Sequence, residues 1–394
     1  MTASANLTAR KFALTEGGPT YRIEKRLKLT RENSPLIVRR SIFSIAVTWV
    51  PLFLCSGVQG YAFGKRVPVP FLYDFSVHAR FLLAVPLFFA AEVFLGPHLA
   101  EAARHFIESG LVIQEDFLRF DAAIEKGLKW RDSVLGEAIL VLLAYGITLI
   151  ALPTWAVHVS SWRAVQTDSG LVLTWAGWWL LIFCVPLYQF LTLRWLWRLF
   201  LWAQFLWRMN KLNLQLTPTH PDEAGGLAFV GEAQRFYGAI LLAYSIGVSG
   251  VLANQVIYDK IPLPHFAPSI VAYVIVAVGI VLLPMGIFAG TLMKTKRKGL
   301  YQYGTLGTTY TTRFHKRWIV GEAPSDEPLL GTGDIQSLAD LGNSFQFIEK
   351  MNTLPMSPRT PIHLVLACLL PMAPLLLTVM SLKDLLKLLL KVVM

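Results

Sequence analysis

The chain has 394 residues, of which 54% are hydrophobic and only 15% charged, and its mean hydropathy is +0.51. A water-soluble globular protein of this composition would expose large apolar patches, so the composition excludes that class and predicts a protein embedded in lipid. The net charge of +11 does not indicate nucleic-acid binding, because the basic residues cluster at the ends of apolar segments, where anionic headgroups attract them.

Seven apolar segments follow one another along the chain, and each has about the length, roughly 20 residues, that a helix needs to cross a hydrocarbon core. They predict membrane spans at residues 41–58, 80–97, 134–157, 171–193, 236–257, 267–292 and 361–380. The predicted fold class is an all-α polytopic membrane protein with about seven transmembrane helices and a cytoplasmic helical layer. The predicted organisation is a basic N-tail at 1–40, six spans within 41–292 that enclose cytoplasmic segments 98–133 and 194–235, a cytoplasmic segment at 293–360, and a seventh span with an amphipathic tail at 361–394.

Lysine and arginine are divided unequally between the two sides of the predicted bundle. The side of the N-tail carries 28 of the 36 basic residues and the other side carries 8. By the positive-inside rule, the N-terminus is predicted to lie in the cytoplasm, and a bilayer with anionic headgroups is the expected partner. Cys55, Cys184 and Cys368 lie inside spans without close spacing, so no disulfide framework, metal site or cofactor is predicted.

Polar side chains inside the spans are the first candidates for function, because a charge in the bilayer is costly unless it is paired or hydrated. Glu92 and Glu137 lie near the cytoplasmic ends of spans two and three. They are interpreted either as interfacial carboxylates paired with basic neighbours such as Arg80 or Lys129, or as a vestibule for protons or cations. Neutral groups in the middle of the bundle, Tyr188 and Gln189 among them, can line a pore or hold helices together.

Proline and glycine add a second pattern. Mid-span prolines occur at Pro51, Pro86, Pro153, Pro186, Pro284, Pro371 and Pro374. Because proline frees a carbonyl and bends a helix, they favour transport slightly, although proline is common in membrane helices. In span five, small residues allow close helix contact within the chain or between copies; they are Gly238, Ala243, Gly247 and Gly250.

A helical pattern continues from span four far beyond the predicted membrane, as far as Leu212. Its distal part combines arginine with tryptophan, which is typical of a membrane interface. We therefore predict contacts with lipid headgroups for Arg194, Arg198, Trp202 and Arg208. A specific lipid or anionic-ligand site is the alternative.

The segment 217–227, called the elbow below, is the densest group of polar and special-geometry residues. Its candidates for ligand binding or gating are His220, Asp222, Glu223, Gly225 and Gly226. A simpler interpretation is a turn in which Asp222 caps the following helix and the two glycines form a bend.

A second amphipathic pattern follows span six. Its apolar members lie on one helical face and are Ile335, Leu338, Leu341, Phe345 and Ile348. The helix is expected to begin at a cap formed by Thr332 or Asp334 and to pack against the helices of segment 98–133.

The elbow and the stretch from Gly333 to Ser344 together resemble an uncharacterised family of bacterial multi-pass inner-membrane proteins. The resemblance extends over most of the chain from residue 217 onward. It implies a location in a bacterial inner membrane and assigns no function to any residue.

Three functions remain open on the sequence. The first hypothesis is a channel or transporter for a small solute or ion, formed by an oligomer of the chain. The second is a non-catalytic scaffold or regulatory protein that binds a cytoplasmic partner. The third is a lipid-modifying enzyme, which would need Glu92, Glu137 and His220 together at headgroup depth. No catalytic residue is assigned, because the motifs of metalloproteases, serine hydrolases and phosphate-binding loops do not occur in the sequence.

Overall fold

The computed structural model describes residues 12–31, 36–155, 161–167, 170–321 and 333–379. The α-helices are α1 Pro19–Arg26, α2 Ile37–Val47, α3 Trp49–Val58, α4 Phe75–His78, α5 Val85–Glu108, α6 Phe117–Arg131, α7 Val134–Trp155, α8 Trp175–Trp179, α9 Val185–Met209, α10 Ala228–Arg235, α11 Gly238–Ile257, α12 Ala267–Leu282, α13 Ala289–Phe314, α14 Asp334–Lys350 and α15 Arg359–Leu369. Turns of 3₁₀ helix cover Phe71–Tyr73, Gln114–Asp116, Leu263–Phe266, Leu283–Phe288 and Leu370–Thr378, and π-helical turns cover Ala79–Ala84, Leu180–Cys184 and His315–Ile319. The strands β1 Ala164–Thr167 and β2 Gly170–Leu173 form an antiparallel hairpin.

Within the described residues, these elements join into seven helices that are long and apolar enough to span a membrane. Spans 1 to 7 are Ile37–Val58, Phe75–Glu108, Val134–Ala151, Trp175–Met209, Ala228–Ile257, Leu263–Ile319 and Arg359–Thr378. The predicted all-α polytopic fold is thereby confirmed. Several helices exceed the predicted lengths, because an apolar segment indicates only the part that lies in lipid. Span 6 is the extreme case, since its 57 residues reach about 85 Å at 1.5 Å per residue.

The two sides of the bundle differ in structure. One side, called the N-terminal side, carries residues 12–36, 109–133, 210–227, 293–321 and 333–358. The other, called the hairpin side, carries residues 59–74, 161–174 and 258–262, including the β-hairpin. The hairpin occupies the start of the predicted fourth span, where residues 170–173 form a strand, so that span begins only at Trp175.

Prolines interrupt the spans where the sequence places them. Pro86 and Pro186 follow π-helical turns, whereas Pro284 lies in a 3₁₀ turn. Since proline has no N–H, each leaves a carbonyl four residues earlier without its helical donor.

Aromatic side chains from neighbouring spans satisfy two of these freed carbonyls. Tyr145 Oη donates to the oxygen of Ile182, four residues before Pro186, at 3.0 Å. Similarly, Trp179 Nε1 donates to the oxygen of Val47, four residues before Pro51, at 3.1 Å. The bends are therefore built into the packing of the spans.

The N-terminal segment packs into the bundle from residue 12 onward. Phe12 and Leu14 are fully buried. The ring of Phe12 lies 4.7 Å from that of Phe205, centroid to centroid, and 6.2 Å from that of Trp202. This part of the predicted basic tail therefore belongs to the core of the N-terminal side.

Two of the predicted small-residue positions are used for contact inside the chain. A Cβ at Gly250 would lie 2.7 Å from the Cβ of Ala79 and 2.9 Å from the carbonyl oxygen of Phe75. At Gly247 it would lie 2.5 Å from the hydroxyl of Tyr188. These glycines therefore let spans 2, 4 and 5 approach closely.

The amphipathic helix α14 packs against α13, the extension of span 6. The prediction that its apolar stripe packs on segment 98–133 is therefore wrong. Ile348 is fully buried, and it lies near Gly299, where an added Cβ would be 3.2 Å from the Ile348 side chain. The stripe meets α13 because span 6 does not end at the membrane surface, which the sequence pattern did not indicate.

The start of α14 also differs from the predicted cap. Thr332 lies outside the described residues, and Gly333 occupies the cap position without a side-chain hydrogen bond. Asp334 instead accepts a hydrogen bond from Trp318 Nε1 at 2.8 Å. The tail from 381 to 394 also lies outside the described residues.

Candidate functional site

A buried network of six charged side chains joins the N-terminal segment to spans 1 to 4. Glu92 of span 2 is its centre. Its Oε1 accepts from Arg198 Nη2 at 2.7 Å, and its Oε2 pairs with Arg40 Nη1. Arg40 also contacts Glu24, with Nη2 to Oε2 at 2.9 Å. One carboxylate therefore holds two arginines from different spans.

The other half of the network is looser. Arg194 lies 3.7 Å from Glu24 and 3.9 Å from Glu137, measured between the nearest nitrogen and oxygen atoms. Glu137 also binds the N-terminal helix, because its Oε2 accepts from the amide of Thr20 at 2.7 Å and from its hydroxyl at 2.6 Å. The N-terminal segment is thereby fastened to span 3.

This network corrects the headgroup assignment of the sequence. Arg194 and Arg198 are 5% and 4% exposed, and Trp202 is fully buried. Trp202 Nε1 donates to Gln234 Oε1 at 2.9 Å, and Arg198 Nη2 donates to the carbonyl of Thr15 at 3.0 Å. These three side chains contact protein groups rather than headgroups.

Arg208, the fourth predicted headgroup residue, lies six residues beyond Trp202 on the same helix and is exposed to an intermediate degree. Its Nε and Nη2 lie 3.2 Å from the side-chain amide of Gln204. The sequence prediction failed for its neighbours because the helical face of α9 is covered by residues 12–26, which it treated as a free tail.

The partners expected for Glu92 and Glu137 are also different. Neither pairs with Arg80 or Lys129 in the described structure; both are bound by arginines. Arg40 and Arg198 occupy both oxygens of Glu92, and Arg194 and Thr20 lie against Glu137. This favours the paired interpretation over a vestibule for protons or cations.

A second feature is a cavity of about 630 Å³ between spans 4, 5 and 6, called the lateral cavity. It is lined by Phe88, Thr192, Trp195, Leu196, Leu199, Tyr237, Ile240, Leu241, Tyr244, Ser269, Ala272, Tyr273, Val276, Ala277, Ile280 and Val281. Leu196, Val276 and Ile280 are exposed at its rim, on the apolar surface of the spans. The cavity therefore opens sideways, towards lipid.

Three phenol groups provide the polarity of the lateral cavity. The hydroxyl of Tyr273 hydrogen-bonds to Ser245 Oγ at 2.6 Å. The Tyr237 side chain is 2% exposed, and its hydroxyl has no partner in the described part of the chain. Tyr244 stacks on Tyr273 at 6.0 Å, and no hydrogen bond of its hydroxyl to a described residue is present. The Tyr237 hydroxyl itself is inaccessible, so the hydroxyl of Tyr244, on an exposed side chain, is the group that can hydrogen-bond to a bound molecule.

The predicted pore residues Tyr188 and Gln189 lie in span 4 with different contacts. Gln189 Oε1 accepts from Thr148 Oγ1 of span 3 at 3.0 Å, which holds two helices together. The ring of Tyr188 lies 5.9 Å from that of Phe88, which lines the lateral cavity, and the guanidinium of Arg80 lies 5.8 Å from its centroid. Only Tyr188 is thus connected to the cavity.

A third cluster is centred on Asp74 on the hairpin side. Asp74 Oδ2 accepts from Trp162 Nε1 at 2.8 Å and pairs with Arg163, while its Oδ1 accepts from Ser76 and from Asn254 Nδ2, the latter at 2.7 Å. Burial opposes ionisation, but the Arg163 charge and these donors outweigh it, so the pKa of Asp74 lies well below its usual value. The cluster ties the β-hairpin to spans 2 and 5.

The elbow is a turn that Asp222 organises. Asp222 Oδ1 accepts from the amides of Ala224 and Gly226 at 2.9 and 3.0 Å, and Oδ2 accepts from the amide of Ala228 at 3.0 Å. His220 Nδ1 lies 2.7 Å from Asp222 Oδ1. Burial raises the pKa of Asp222, but the amide donors outweigh it and hold the pKa below its usual value. The carboxylate is thus occupied by the backbone, as the capping interpretation predicts.

The remaining elbow residues serve the same turn. Glu223, Gly225 and Gly226 all have positive φ, at 52°, 65° and 97°. The carbonyl of Glu223 accepts from the amide of Asn352 at 2.7 Å, and a Cβ at Gly225 would meet Met351 at 3.1 Å. The elbow therefore fixes the chain that follows α14. A polar cavity of about 280 Å³ lies beside His220, His105 and Asp222.

The described residues contain no group of three or more histidine, cysteine, aspartate or glutamate side chains that could hold a metal ion. His220 also lies in a different cluster from Glu92 and Glu137. The three residues that a lipid-modifying enzyme would need are not brought together.

Several residues of these clusters were missed by sequence reasoning. Arg40 and Glu24 were placed in a tail, although Phe12 and Leu14 were an available signal that this segment is buried. Arg80 was considered only as a neighbour of Glu92. Tyr237 carries no signal of its own, because its unpaired hydroxyl depends on the packing of three spans.

Comparison with known proteins adds no relative: no family model, curated protein or solved structure matches the chain. What is established is that it is a multi-pass integral membrane protein with seven membrane-spanning helices in the described residues.

Proposed function

We propose that this chain is a transport protein of a bacterial inner membrane, with its N-terminus in the cytoplasm, that binds a small amphiphilic solute in the lateral cavity. The observation that carries the proposal is the cavity itself. Its volume of about 630 Å³ falls in the range of small-molecule sites, about 300–1,000 Å³. It combines apolar walls with the hydroxyl of Tyr244, which has no hydrogen-bond partner among the described residues.

The class of solute follows from the access route. The rim residues Leu196, Val276 and Ile280 are exposed on the apolar surface, so a solute enters from the lipid rather than from water. A molecule with an alkyl part and one hydrogen-bonding group satisfies both the walls and the phenols. The engagement of Glu92 by two arginines speaks against a path for protons or cations.

A specific observation favours a second candidate function, the binding of a cytoplasmic protein. Helices α13 and α14 form an arm that extends from the N-terminal side, and it exposes large apolar side chains, among them Tyr301 and Leu306. Under this hypothesis, Leu306→Glu releases a protein partner and leaves solute binding unchanged. Retention of every copurifying protein by the variant would contradict it.

The primary proposal is tested by binding and by flux. The purified protein is reconstituted in liposomes and photolabelled with a diazirine derivative of decanol, and the labelled peptides are mapped by mass spectrometry. In parallel, the movement of trace radiolabelled decyl glucoside across the bilayer is followed. We expect labelling concentrated on the cavity walls of spans 4, 5 and 6, and faster movement than in protein-free liposomes.

A blocking variant and a matched control make the test specific. Ala277→Trp fills the lateral cavity, whereas Ala138→Trp places the same side chain on an exposed position of span 3. Only Ala277→Trp should reduce labelling and flux. Labelling spread evenly over all seven spans, together with flux equal to that of protein-free liposomes, would remove the proposal.

A further inference from the structure

Arg80 is a charged residue in the membrane that has no ionic partner in the described structure. It lies in the π-helical turn Ala79–Ala84, within the first two turns of span 2 on the hairpin side. Its guanidinium lies 5.8 Å from the centroid of the Tyr188 ring, and no side-chain hydrogen bond or ion pair joins it to another described residue. A charge inside a membrane protein is rare and costly, so an unpaired one indicates a functional site.

The surroundings of Arg80 do not supply a carboxylate. Its titratable neighbours are Tyr188, Tyr244, Arg163 and Asp74. Asp74, the one acid among them, is already held by Arg163 and by donors from the β-hairpin and span 5. Arg163 adds a second positive charge. The field at Arg80 therefore favours an anion that comes from outside the described chain.

The position of Arg80 is built by the fold. Its side chain passes Gly247 of span 5, where an added Cβ would lie 3.5 Å from the Arg80 Cγ and 2.5 Å from the Tyr188 hydroxyl. A Cβ at this position would displace the Tyr188 hydroxyl and would make an ordinary contact with Arg80. Turns of π helix are rare and are frequently found at functional sites.

Arg80 is also connected to the lateral cavity. The Tyr188 ring beneath its guanidinium contacts Phe88, which lines the cavity, and Tyr244, another neighbour of Arg80, lines the cavity as well. Arg80 does not line the cavity itself, and these two tyrosines connect its charge to the cavity wall.

From this arrangement we infer that Arg80 binds the anionic headgroup of an amphiphile whose alkyl chain occupies the lateral cavity. The inference rests on the proposed function and names its substrate class. A phosphate monoester suits the site best, because a guanidinium donates two parallel hydrogen bonds to phosphate oxygens. The same chemistry is offered by a lipid headgroup and by a free phosphate.

The test compares two amphiphiles that differ only in the headgroup. In the photolabelling assay with diazirine-decanol, unlabelled decyl phosphate and unlabelled decanol are used as competitors. In the wild-type protein, decyl phosphate should compete at a concentration at least about tenfold lower than decanol. Arg80→Gln should abolish this preference and leave decanol competition unchanged, while Arg80→Lys should retain part of it.

Matched controls separate the site from the general positive charge of the surface. Arg66→Gln removes an exposed arginine from the same side of the bundle and should keep the preference. Inorganic phosphate, added as a third competitor, identifies the source: displacement of decyl phosphate means that free phosphate occupies the site, and no displacement means that the anion must be carried by a lipid-like molecule.

The outcomes distinguish the two proposals. Labelling of the cavity with equal competition by decanol and decyl phosphate in the wild-type protein would overturn the role of Arg80 and leave the proposed function intact. Absence of cavity labelling would overturn the proposed function and with it the inference. Because the wild-type comparison needs no variant, a folding defect of Arg80→Gln could not hide either result.

Discussion

Two sets of arginines lie within the spans, and they differ in how their charge is balanced. On the N-terminal side, Arg40, Arg194 and Arg198 share the carboxylates of Glu24, Glu92 and Glu137. On the hairpin side, Arg80 meets an aromatic ring and no carboxylate in the described chain.

This contrast separates charges that stabilise the fold from a charge that is available for binding. A buried ion pair is lost at high cost when one partner is removed, because the other charge stays buried and unpaired. An arginine without a carboxylate partner forms no such pair. This is why we infer that Arg80 binds an anion. Stability measurements on the two sets should therefore diverge.

The largest effect is expected at the centre of the network. Glu92→Gln leaves Arg40 and Arg198 without their shared carboxylate, and the free energy of unfolding should fall by about 3–5 kcal/mol. Unfolding is followed by titration with sodium dodecyl sulfate in mixed micelles. Glu101→Gln is the matched control, since Glu101 lies on the same helix and is exposed. Equal unfolding midpoints for both variants would show that the network does not stabilise the fold.

A substitution at Asp74 tests whether the hairpin side contains an ion pair that stabilises the fold. Asp74→Asn deprives Arg163 of its charge partner and should lower the free energy of unfolding by about 2–3 kcal/mol. Because the pKa of Asp74 is depressed, its stabilising effect is complete above the ordinary value of 3.8 and is lost as the pH falls below that value towards the folded-state pKa.

The Asp74 measurement is an unfolding series from pH 7 to pH 3. The gap between wild type and variant should be constant down to about pH 4 and then shrink. Asp259→Asn, an exposed change on the same side, should leave stability unchanged at every pH. A gap that widens on acidification would contradict the assigned sign.

The hydrogen bond of Tyr145 involves no charge, and it gives a reference value for the losses of unfolding free energy expected in both regions. Tyr145→Phe removes the hydroxyl that donates to the carbonyl freed by Pro186, and a loss of about 0.6 kcal/mol is expected. In a Pro186→Ala background the helix can satisfy that carbonyl itself, so the same change should cost less. Identical losses in the two backgrounds would mean that the hydroxyl does not act on the freed carbonyl.

The smallest change in stability is expected at Arg80. Arg80→Leu removes a costly charge and breaks no ion pair, so the free energy of unfolding should stay within about 0.5 kcal/mol of wild type. Arg198→Leu, on the paired side, should be destabilising by several times that amount. If both variants lose stability equally, Arg80 holds the bundle together and the contrast between the two sets fails.

Much of the fold followed from the sequence because lipid imposes a simple rule. Apolar length predicted all seven spans, since backbone groups in a bilayer must be paired within helices. Apolar length gives no information about helices that lie outside the membrane. The overlong helix of span 6 and its pairing with α14 were therefore missed, and the apolar stripe ending at Ile348 was assigned the wrong partner.

The clusters were harder to predict, because they combine residues far apart in sequence. Arg198 and Trp202 have the composition of an interface, and only the docking of residues 12–26 shows them to be buried. Asp222 was predictable as a helix cap, since its hydrogen bonds are local. Tyr237 and Arg80 depend on three helices at once, and a periodic pattern cannot reveal a missing partner.

The long sequence separations in the network also constrain how the protein is made. Glu92 is synthesised 106 positions before Arg198, and Thr20 is synthesised 117 positions before Glu137. The N-terminal segment therefore leaves the ribosome long before its binding site exists, and it can dock only after four helices have entered the bilayer. The complete network can therefore form only when the first four spans have been inserted in the correct order.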